Sequence, residues 1–565
     1  MNAQNSLELL REEKDGVAAR NQPLGHMPNE VIISKANNAI LTDYAEELAE
    51  VYAQKSDLKE KKSKGQFFTQ KAIGLFMAGM FDINKSSFNI LDPGAGIGML
   101  SAAFCERLLN LRKAYNISLD AYETDSKLIP YLEKTLRKCK ATLEEKGHVF
   151  KYKIIEKDFI LNNPNYLNKK TLFGTEIQPI YYDCIISNPP YYKLNKNSPQ
   201  TQILSEFVSG QPNIYSFFMA LALEMLKDDG QMVFITPRSF CSGLYFKRFR
   251  KWLLDHGNIN NIHVFESRKD VFTKENVLQE NVIMRITPKK EGKEQKHATI
   301  TKSKNSLFHD LSELKIDYQD IFHRKNGDVF IKVPSSKVDI KVQRIINSWK
   351  YTLKDLCLKV STGPVVSFRA TKFLSPEFKD DKSMVPLLWM HNIKGMDAIW
   401  PVLNLKKEPA IKANEESKVL LVPTNNYVLV KRFSSKEQKK RVHAGVLLKS
   451  KMKFDRIGIE NHLNYIYKYG SLLSIEDAYG ISGVLNSSII DIFFRMLNGS
   501  TQVNAVDIEN LPLPSLEDIQ AIGKAIIKSK PTIGQELDKL VVDILKIGPQ
   551  ILQDLKEVYK QDGEN

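Results

Sequence analysis

Phe88-Asn89-Ile90-Leu91-Asp92-Pro93-Gly94-Ala95-Gly96-Ile97-Gly98 is the stretch on which the reading of this chain turns. An apolar run ends in an acid and a proline, glycines follow at alternate positions, and a helical pattern begins near Met99. That is a short buried strand, a tight turn and a helix start. Glycines let a backbone approach a ligand closely, and a helix start offers free N–H groups. Sites for NAD, FAD and AdoMet all use such a turn, so the turn by itself leaves the ligand open. Further along, Leu119-Asp120-Ala121-Tyr122-Glu123-Thr124-Asp125 reads as a second strand ending in acids, and Tyr152-Lys153-Ile154-Ile155-Glu156-Lys157-Asp158-Phe159 as a third. Glu123 is placed either to accept hydrogen bonds from ribose hydroxyls or to sit as a solvated loop acid.

A fourth strand, Asp183-Cys184-Ile185-Ile186-Ser187, stops at Asn188-Pro189-Pro190-Tyr191. The two prolines fix φ and forbid a helix there. The corner gathers an amide oxygen, a backbone carbonyl and an aromatic face. Those groups suit gripping a flat, amino-bearing substrate while its nitrogen is attacked; the plainer alternative is a strand-to-loop turn. In an open parallel sheet, ligands bind outside the carboxyl ends of the strands. Asp92, Glu123, Asp158 and Asn188 are thus expected along one edge.

On these residues the chain resembles the N6-adenine DNA methyltransferases of restriction–modification systems, in particular the gamma class. There the AdoMet site precedes the catalytic motif and a target-recognition domain follows. Gly65-Gln66-Phe67-Phe68-Thr69-Gln70 resembles the first AdoMet-contacting motif, Gly-x-x-x-Thr-Pro, with Gln70 in place of the proline. The resemblance implies that Thr69, Asp92, Pro93, Gly94, Ala95, Gly96, Glu123, Asp158 and Phe159 hold S-adenosyl-L-methionine, with Asn188 bordering it. It implies catalysis by Asn188, Pro189, Pro190 and Tyr191, and Val271-Phe272 resembles the late motif whose phenylalanine stacks on the flipped adenine. Asn213 to Phe218 and Gly230 to Pro237 resemble the two intervening core motifs. The fold so implied is α/β: a Rossmann-like AdoMet-dependent methyltransferase domain, then a mixed α+β C-terminal target-recognition domain.

Composition agrees with a nucleic-acid partner. Lysines and arginines number 81 against 66 acids, a formal net charge of +15 over 565 residues, and such an excess attracts phosphate backbones. Between Lys431 and Arg456 ten basic residues face two acids. Lys431, Arg432, Lys439, Lys440 and Arg441 are therefore expected to contact the phosphates of double-stranded DNA, rather than form a solvated face. Five scattered cysteines without CxxC pairs suggest reduced thiols in a cytoplasmic protein, and no Cys/His spacing suggests a metal. No apolar run is long enough to span a membrane. The expected domains are 1–60, a flexible N-terminus with a helical extension; 61–340, catalytic; 341–515, target recognition; and 516–565, an arm of two amphipathic helices. A monomer is expected, paired in function with a separate restriction endonuclease. A protein glutamine N5 methyltransferase, an RNA N6-adenine methyltransferase and a non-enzymatic DNA-binding module are the alternatives. The long basic C-terminal half and the intact Asn-Pro-Pro-Tyr weigh against them.

Overall fold

The computed structural model describes residues 40–55, 68–166, 179–203, 213–266, 280–292, 294–325, 328–379, 383–434, 440–497 and 502–561. The N-terminal half is one nine-stranded sheet. Its first strands are β1 (Ser87–Pro93), β2 (Asn116–Tyr122), β3 (Val149–Ile155), β4 (Tyr182–Ser187) and β5 (Leu226–Pro237). They are followed by β6 (Gly257–Phe265), β7 (Asn281–Pro288), β8 (His297–Ser303) and β9 (Ser312–Asp317). The spatial order is β3-β2-β1-β4-β5-β7-β6-β8-β9. β1 to β5 are mutually parallel; β7 runs against both β5 and β6.

Each central strand follows from its residues. β4, Tyr-Asp-Cys-Ile-Ile-Ser, is buried at every position, as a strand covered on both faces must be. α1 (Leu41–Lys55), α2 (Lys71–Gly79) and α3 (Met99–Leu109) pack against one another. The apolar α4 (Ile214–Glu224) is buried along almost its whole length. The sequence places the ends of β2 and β3 too late. β2 stops at Tyr122, one residue before Glu123, and β3 at Ile155. Asp158 is instead the N-cap of a one-turn helix, Phe159–Asn162, accepting from the N–H groups of Ile160 and Leu161. An aspartate that caps satisfies two orphan donors at once.

The C-terminal half contains a six-stranded and a five-stranded sheet packed with helices, so the mixed α+β character stands. The stretch 516–561 forms three helices, Leu516–Ser529, Gln535–Ile544 and Gln550–Gln561, where the sequence suggested two. Lys530 in the left-handed conformation (φ 46°) and Gly534 (φ 125°) break the pattern. These helices share one apolar core with Val342, Ile346 and Val428, whereas the catalytic sheet's core runs from Leu41 to Val333. The halves are tied by specific contacts. Gln343 Nε2 donates to the Asp320 carbonyl at 2.6 Å, and Arg238 Nη2 donates to the Met496 carbonyl at 2.6 Å. Lys332, 1% exposed, lies 4.7 Å from the Phe493 ring. Four of the five free cysteines are buried and Cys357 is exposed. No helix among the described residues is long and apolar enough to cross a membrane.

Arg250 is fully buried and donates to three carbonyls, Val329 at 2.5 Å, Phe240 at 3.0 Å and Gly243 at 2.5 Å. Arg250→Ala leaves those acceptors unpaired in a dry interior. A loss of roughly 3–5 kcal/mol is expected in urea unfolding, since each unsatisfied buried group costs about 1–3 kcal/mol.

Candidate active site

The strand order reverses between β1 and β4, and a crevice opens at their carboxyl ends. Three bonds set its floor. Ser187 Oγ donates to the Pro93 carbonyl at 2.6 Å, locking the glycine turn to the Asn-Pro-Pro-Tyr corner. The N–H groups of Gly94 and Ala95 donate to the Tyr122 carbonyl at 3.0 and 2.8 Å. Gly94, Gly96 and Gly98 all have positive φ (81°, 59° and 88°), a region in which L side chains are strained. A Cβ on Gly98 would also lie 2.9 Å from Leu132 Cδ1.

The crevice is a cavity of about 640 Å³. Of the residues expected from sequence, Gly94, Gly96, Glu123, Phe159, Asn188 and Pro190 line it. Thr69 stands behind, accepting a hydrogen bond from Asn188 Nδ2 at 3.1 Å. Glu123 is buried and heavily engaged: Oε2 accepts from Gly96 N, and Oε1 from Thr124 N and Asp125 N, each at 2.8 Å. Burial raises its pKa, and those backbone bonds pull it back. Asp92 is completely buried, with Oδ2 accepting from Ser101 Oγ at 2.6 Å and Oδ1 without a partner. Burial pushes its pKa up to about 7 against the Ser101 bonds, with a further upward contribution from Glu123. Asp158 is spent on its cap and on Gln200 Nε2 at 3.0 Å.

At the corner, Asn188 Oδ1 accepts from the Tyr191 hydroxyl at 2.6 Å, and that hydroxyl also reaches the Ile235 carbonyl at 3.0 Å. The Tyr191 ring is buried, not an open platform, because it packs edge-on against Tyr215 at 6.2 Å. Tyr192, the next residue, lines the cavity. Tyr122, Lys157 and Phe218 also line it, and sequence reasoning gave none of the four a role. Tyr122 and Phe159 meet edge-on at 5.3 Å, and Phe159 and Phe218 meet at a tilt at 5.0 Å, making one aromatic wall. The usable signal was a large aromatic at a strand's carboxyl end and another on the buried helix α4. Phe272 and Lys439 lie outside the described residues.

The basic run needs correction. Arg441 is 1% exposed; its guanidinium donates to the Ser434 carbonyl and its backbone N–H to Asp491 Oδ1. The Lys440 ammonium is turned onto the Asn486 carbonyl, and burial lowers its pKa. Both stabilise the fold rather than facing a ligand. Arg432 is partly consumed as well, on the Asn461 carbonyl at 3.3 Å and Gln502 Oε1 at 3.4 Å. A basic surface does exist, assembled from separated segments. The charges of Lys431, Lys407 and Lys394 converge on His391 and, after burial, hold its pKa down. Lys394 depresses Lys431 in the same way, again after burial, and the Lys407 ammonium sits 5.1 Å from the Trp389 ring.

A sequence-family profile described as Eco57I restriction-modification methylase matches residues 94–272, from the glycine turn through the Asn-Pro-Pro-Tyr corner. The type II methyltransferase M.BsuBI of Bacillus subtilis is 36% identical over 493 residues, covering 86% of this chain and 95% of the relative. The chain belongs to the type II restriction–modification methyltransferases. The type II methyltransferase M.PstI of Providencia stuartii is 35% identical, covering 82% and 89% of the two chains. Among solved structures, the type IIG restriction endonuclease BpuSI is similar with a TM-score of 0.38 at 14% identity, covering 88% of this chain and 65% of that one. Membership of this family makes the protein a DNA methyltransferase of a restriction–modification system and implies an AdoMet donor.

With Arg441 inside the fold, Arg441→Ala is expected to cost about 2–4 kcal/mol in denaturant titration, through an unsatisfied buried carbonyl and lost packing. A variant that keeps wild-type stability and loses only DNA affinity would return Arg441 to the surface.

Proposed function

We propose that this methyltransferase transfers the methyl group of AdoMet to N6 of an adenine extruded from double-stranded DNA, protecting host DNA from a cognate endonuclease. The observation that carries the reading is the Asn188 amide, held at the lip of the glycine-turn cavity by Thr69 on one side and Tyr191 on the other. Thr69 Oγ1 accepts from Nδ2, which leaves Oδ1 as the half of the amide offered to an amine. The adenine N6 lone pair is delocalised into the ring and is a poor nucleophile. Oδ1 of Asn188 and the carbonyl of Pro189 can accept its two hydrogens, favouring a tetrahedral nitrogen with a free lone pair. Tyr191 can swing its proton from Asn188 Oδ1 to the Ile235 carbonyl, 3.0 Å away, so releasing Oδ1 costs no hydrogen bond. The corner thus acts by orientation and electrostatics, without a strong base.

The residues around the cavity fit AdoMet. When bound, AdoMet supplies an electrophilic methyl on a sulfonium. Behind the lining, the unpartnered Oδ1 of the fully buried Asp92 suits its ammonium. Glu123 has three backbone donors on a carboxylate with about four lone-pair sites, so capacity remains for a ribose hydroxyl. Tyr122, Phe159 and Phe218 offer an aromatic wall for its adenine. For the duplex, the cluster of Lys394, Lys407, Lys431 and His391 supplies phosphate contacts, which give affinity without sequence information. The target base, buried in the stack, has to be flipped out to reach Asn188, with Phe272 as its stacking partner.

Modification-sensitive sequencing of DNA from a host expressing the chain should find N6-methyladenine at one motif; C5- or N4-methylcytosine instead would overturn the assignment. Asn188→Ala should abolish methyl transfer, seen as at least a thousandfold loss in single-turnover rate, with AdoMet affinity within about threefold by calorimetry.

Asp92 makes a pH prediction. Its folded pKa, near 7, lies above the unfolded value, so the empty site takes up a proton as pH falls through 7. An ammonium ligand needs the carboxylate, so AdoMet affinity should fall between pH 8 and pH 6, approaching tenfold per unit on the acid side. Calorimetry in two buffers of different ionisation enthalpy should register proton release, and Asp92→Asn should bind weakly with no slope between those pH values.

Replacing Lys394, Lys407 and Lys431 with alanine should flatten the salt dependence of DNA binding by up to about 0.9 in log–log slope per lost contact, leaving site preference unchanged. Gel-shift titrations from 50 to 200 mM salt measure this.

A further inference from the structure

Glu460 is completely buried, and among the described residues every hydrogen bond of its carboxylate goes to His462. Oε1 and Oε2 lie 2.7 and 2.8 Å from His462 Nδ1, and Oε2 also accepts from the His462 backbone N–H at 2.9 Å. The imidazole itself is 41% exposed. Taking a carboxylate out of water is expensive, and a partner open to solvent returns little of that cost. What the arrangement gains is a surface ring held in one orientation.

The turn that carries the pair joins the strands Arg456–Ile459 and Leu463–Lys468 and is clamped from several sides. Glu460 N donates to the Leu388 carbonyl and Asn461 N to the Val365 carbonyl, each at 2.9 Å, and Arg432 N donates to the His462 carbonyl at 2.8 Å. Gly363 packs so closely that a Cβ there would lie 2.3 Å from the Glu460 carbonyl oxygen. The His462 ring sits edge-on to Phe433, with centroids 4.6 Å apart. An ionised carboxylate can only accept, so Nδ1 carries the proton and the neutral ring offers Nε2 as an acceptor.

The ring belongs to the basic surface described above. Lys431 pairs with Leu463, the next residue after His462. At His391, where burial and then Lys431, Lys407 and Lys394 hold the pKa down, Glu460 is the group that pulls it up. The surface also lies within reach of the crevice. Gln502, bonded by Arg432, is six residues beyond Met496, which Arg238 holds at the catalytic edge, so the two are at most about 22 Å apart. That is about six base-pair steps of 3.4 Å.

We propose that His462 is a specificity-determining residue: its Nε2 accepts a hydrogen from the exocyclic amine of a base in the major groove, N6 of adenine or N4 of cytosine. This rests on the reading of the lysine cluster as the DNA-facing surface. A lone pair repels a phosphate oxygen, so the ring does not duplicate the lysines; amines are the donors that base edges present there. Phosphate contacts tolerate a mobile cation, whereas reading a base edge needs a fixed direction, and the buried carboxylate supplies one.

The test uses the full chain and duplexes of the methylated motif. Each adenine other than the methylated base is replaced in turn by unsubstituted purine, and each cytosine by pyrimidin-2-one, both of which lack the amine. Single-turnover rates at subsaturating concentration are compared for wild type, His462→Ala and Glu460→Gln. One replacement should slow the wild type about fivefold to tenfold, as loss of one hydrogen bond does. His462→Ala should be slowed by a similar factor on the natural duplex and lose nothing more at that one position. Glu460→Gln, which keeps the shape and removes the charge that holds the ring, should weaken the same position; the surface variant decides if the buried one does not fold. The salt dependence of binding should stay that of the wild type. Losses that add at every position would overturn the proposal, as would His462→Ala acting at the wild-type rate. So would a flattened salt slope, the mark of a phosphate contact. If the triple lysine variant binds DNA as the wild type does, the lysine reading fails instead, and the analogue series still decides His462.

Discussion

The hydrogen bond from Ser187 Oγ to the Pro93 carbonyl stands at the point on which the molecule depends. β1 and β4 are neighbours in space though far apart in sequence, and the sheet turns outward in both directions from the gap between them. Chains leaving adjacent parallel strands on opposite sides cannot cover that gap, so a crevice is forced by topology. The bond fixes the two loops that border it at one height. The glycine turn then faces the Asn188 amide across a single cavity.

Burial is used there as a chemical tool. Asp92 lies in a dry interior with one oxygen satisfied and the other bare, and desolvation holds its pKa near 7. Such an acid is costly to the folded protein, and a cation beside it would relieve the cost. Glu123 contrasts with it. Three backbone N–H groups hold it, and through Gly96 it shapes the turn as much as it offers itself to a ligand. Arg441, expected from the charge run to meet DNA, braces its own loop instead, and Arg238 spans the two halves through Glu280 and Met496.

The local alphabet of this chain is legible in its residues alone. An apolar run closed by Asp92-Pro93 and alternating glycines is a strand, a turn and a helix start, because hydrophobic periodicity and φ preferences act within a few residues. The Asn-Pro-Pro-Tyr corner is likewise local, since prolines restrict themselves and their predecessors. The sequence therefore determined the AdoMet-type α/β fold and six residues of the cavity lining, Asn188 among them. Tertiary structure alone decided which neighbours each side chain meets. It buried the Tyr191 ring and brought Tyr192 to the cavity. It drew Arg441 and Lys440 inward out of a run that composition had marked as a surface, and it built the basic patch from Lys394, Lys407 and Lys431, which no window of sequence holds together. Charge and polarity are written in the sequence; exposure, partnership and distance arise only when strands remote in the chain become neighbours in the sheet.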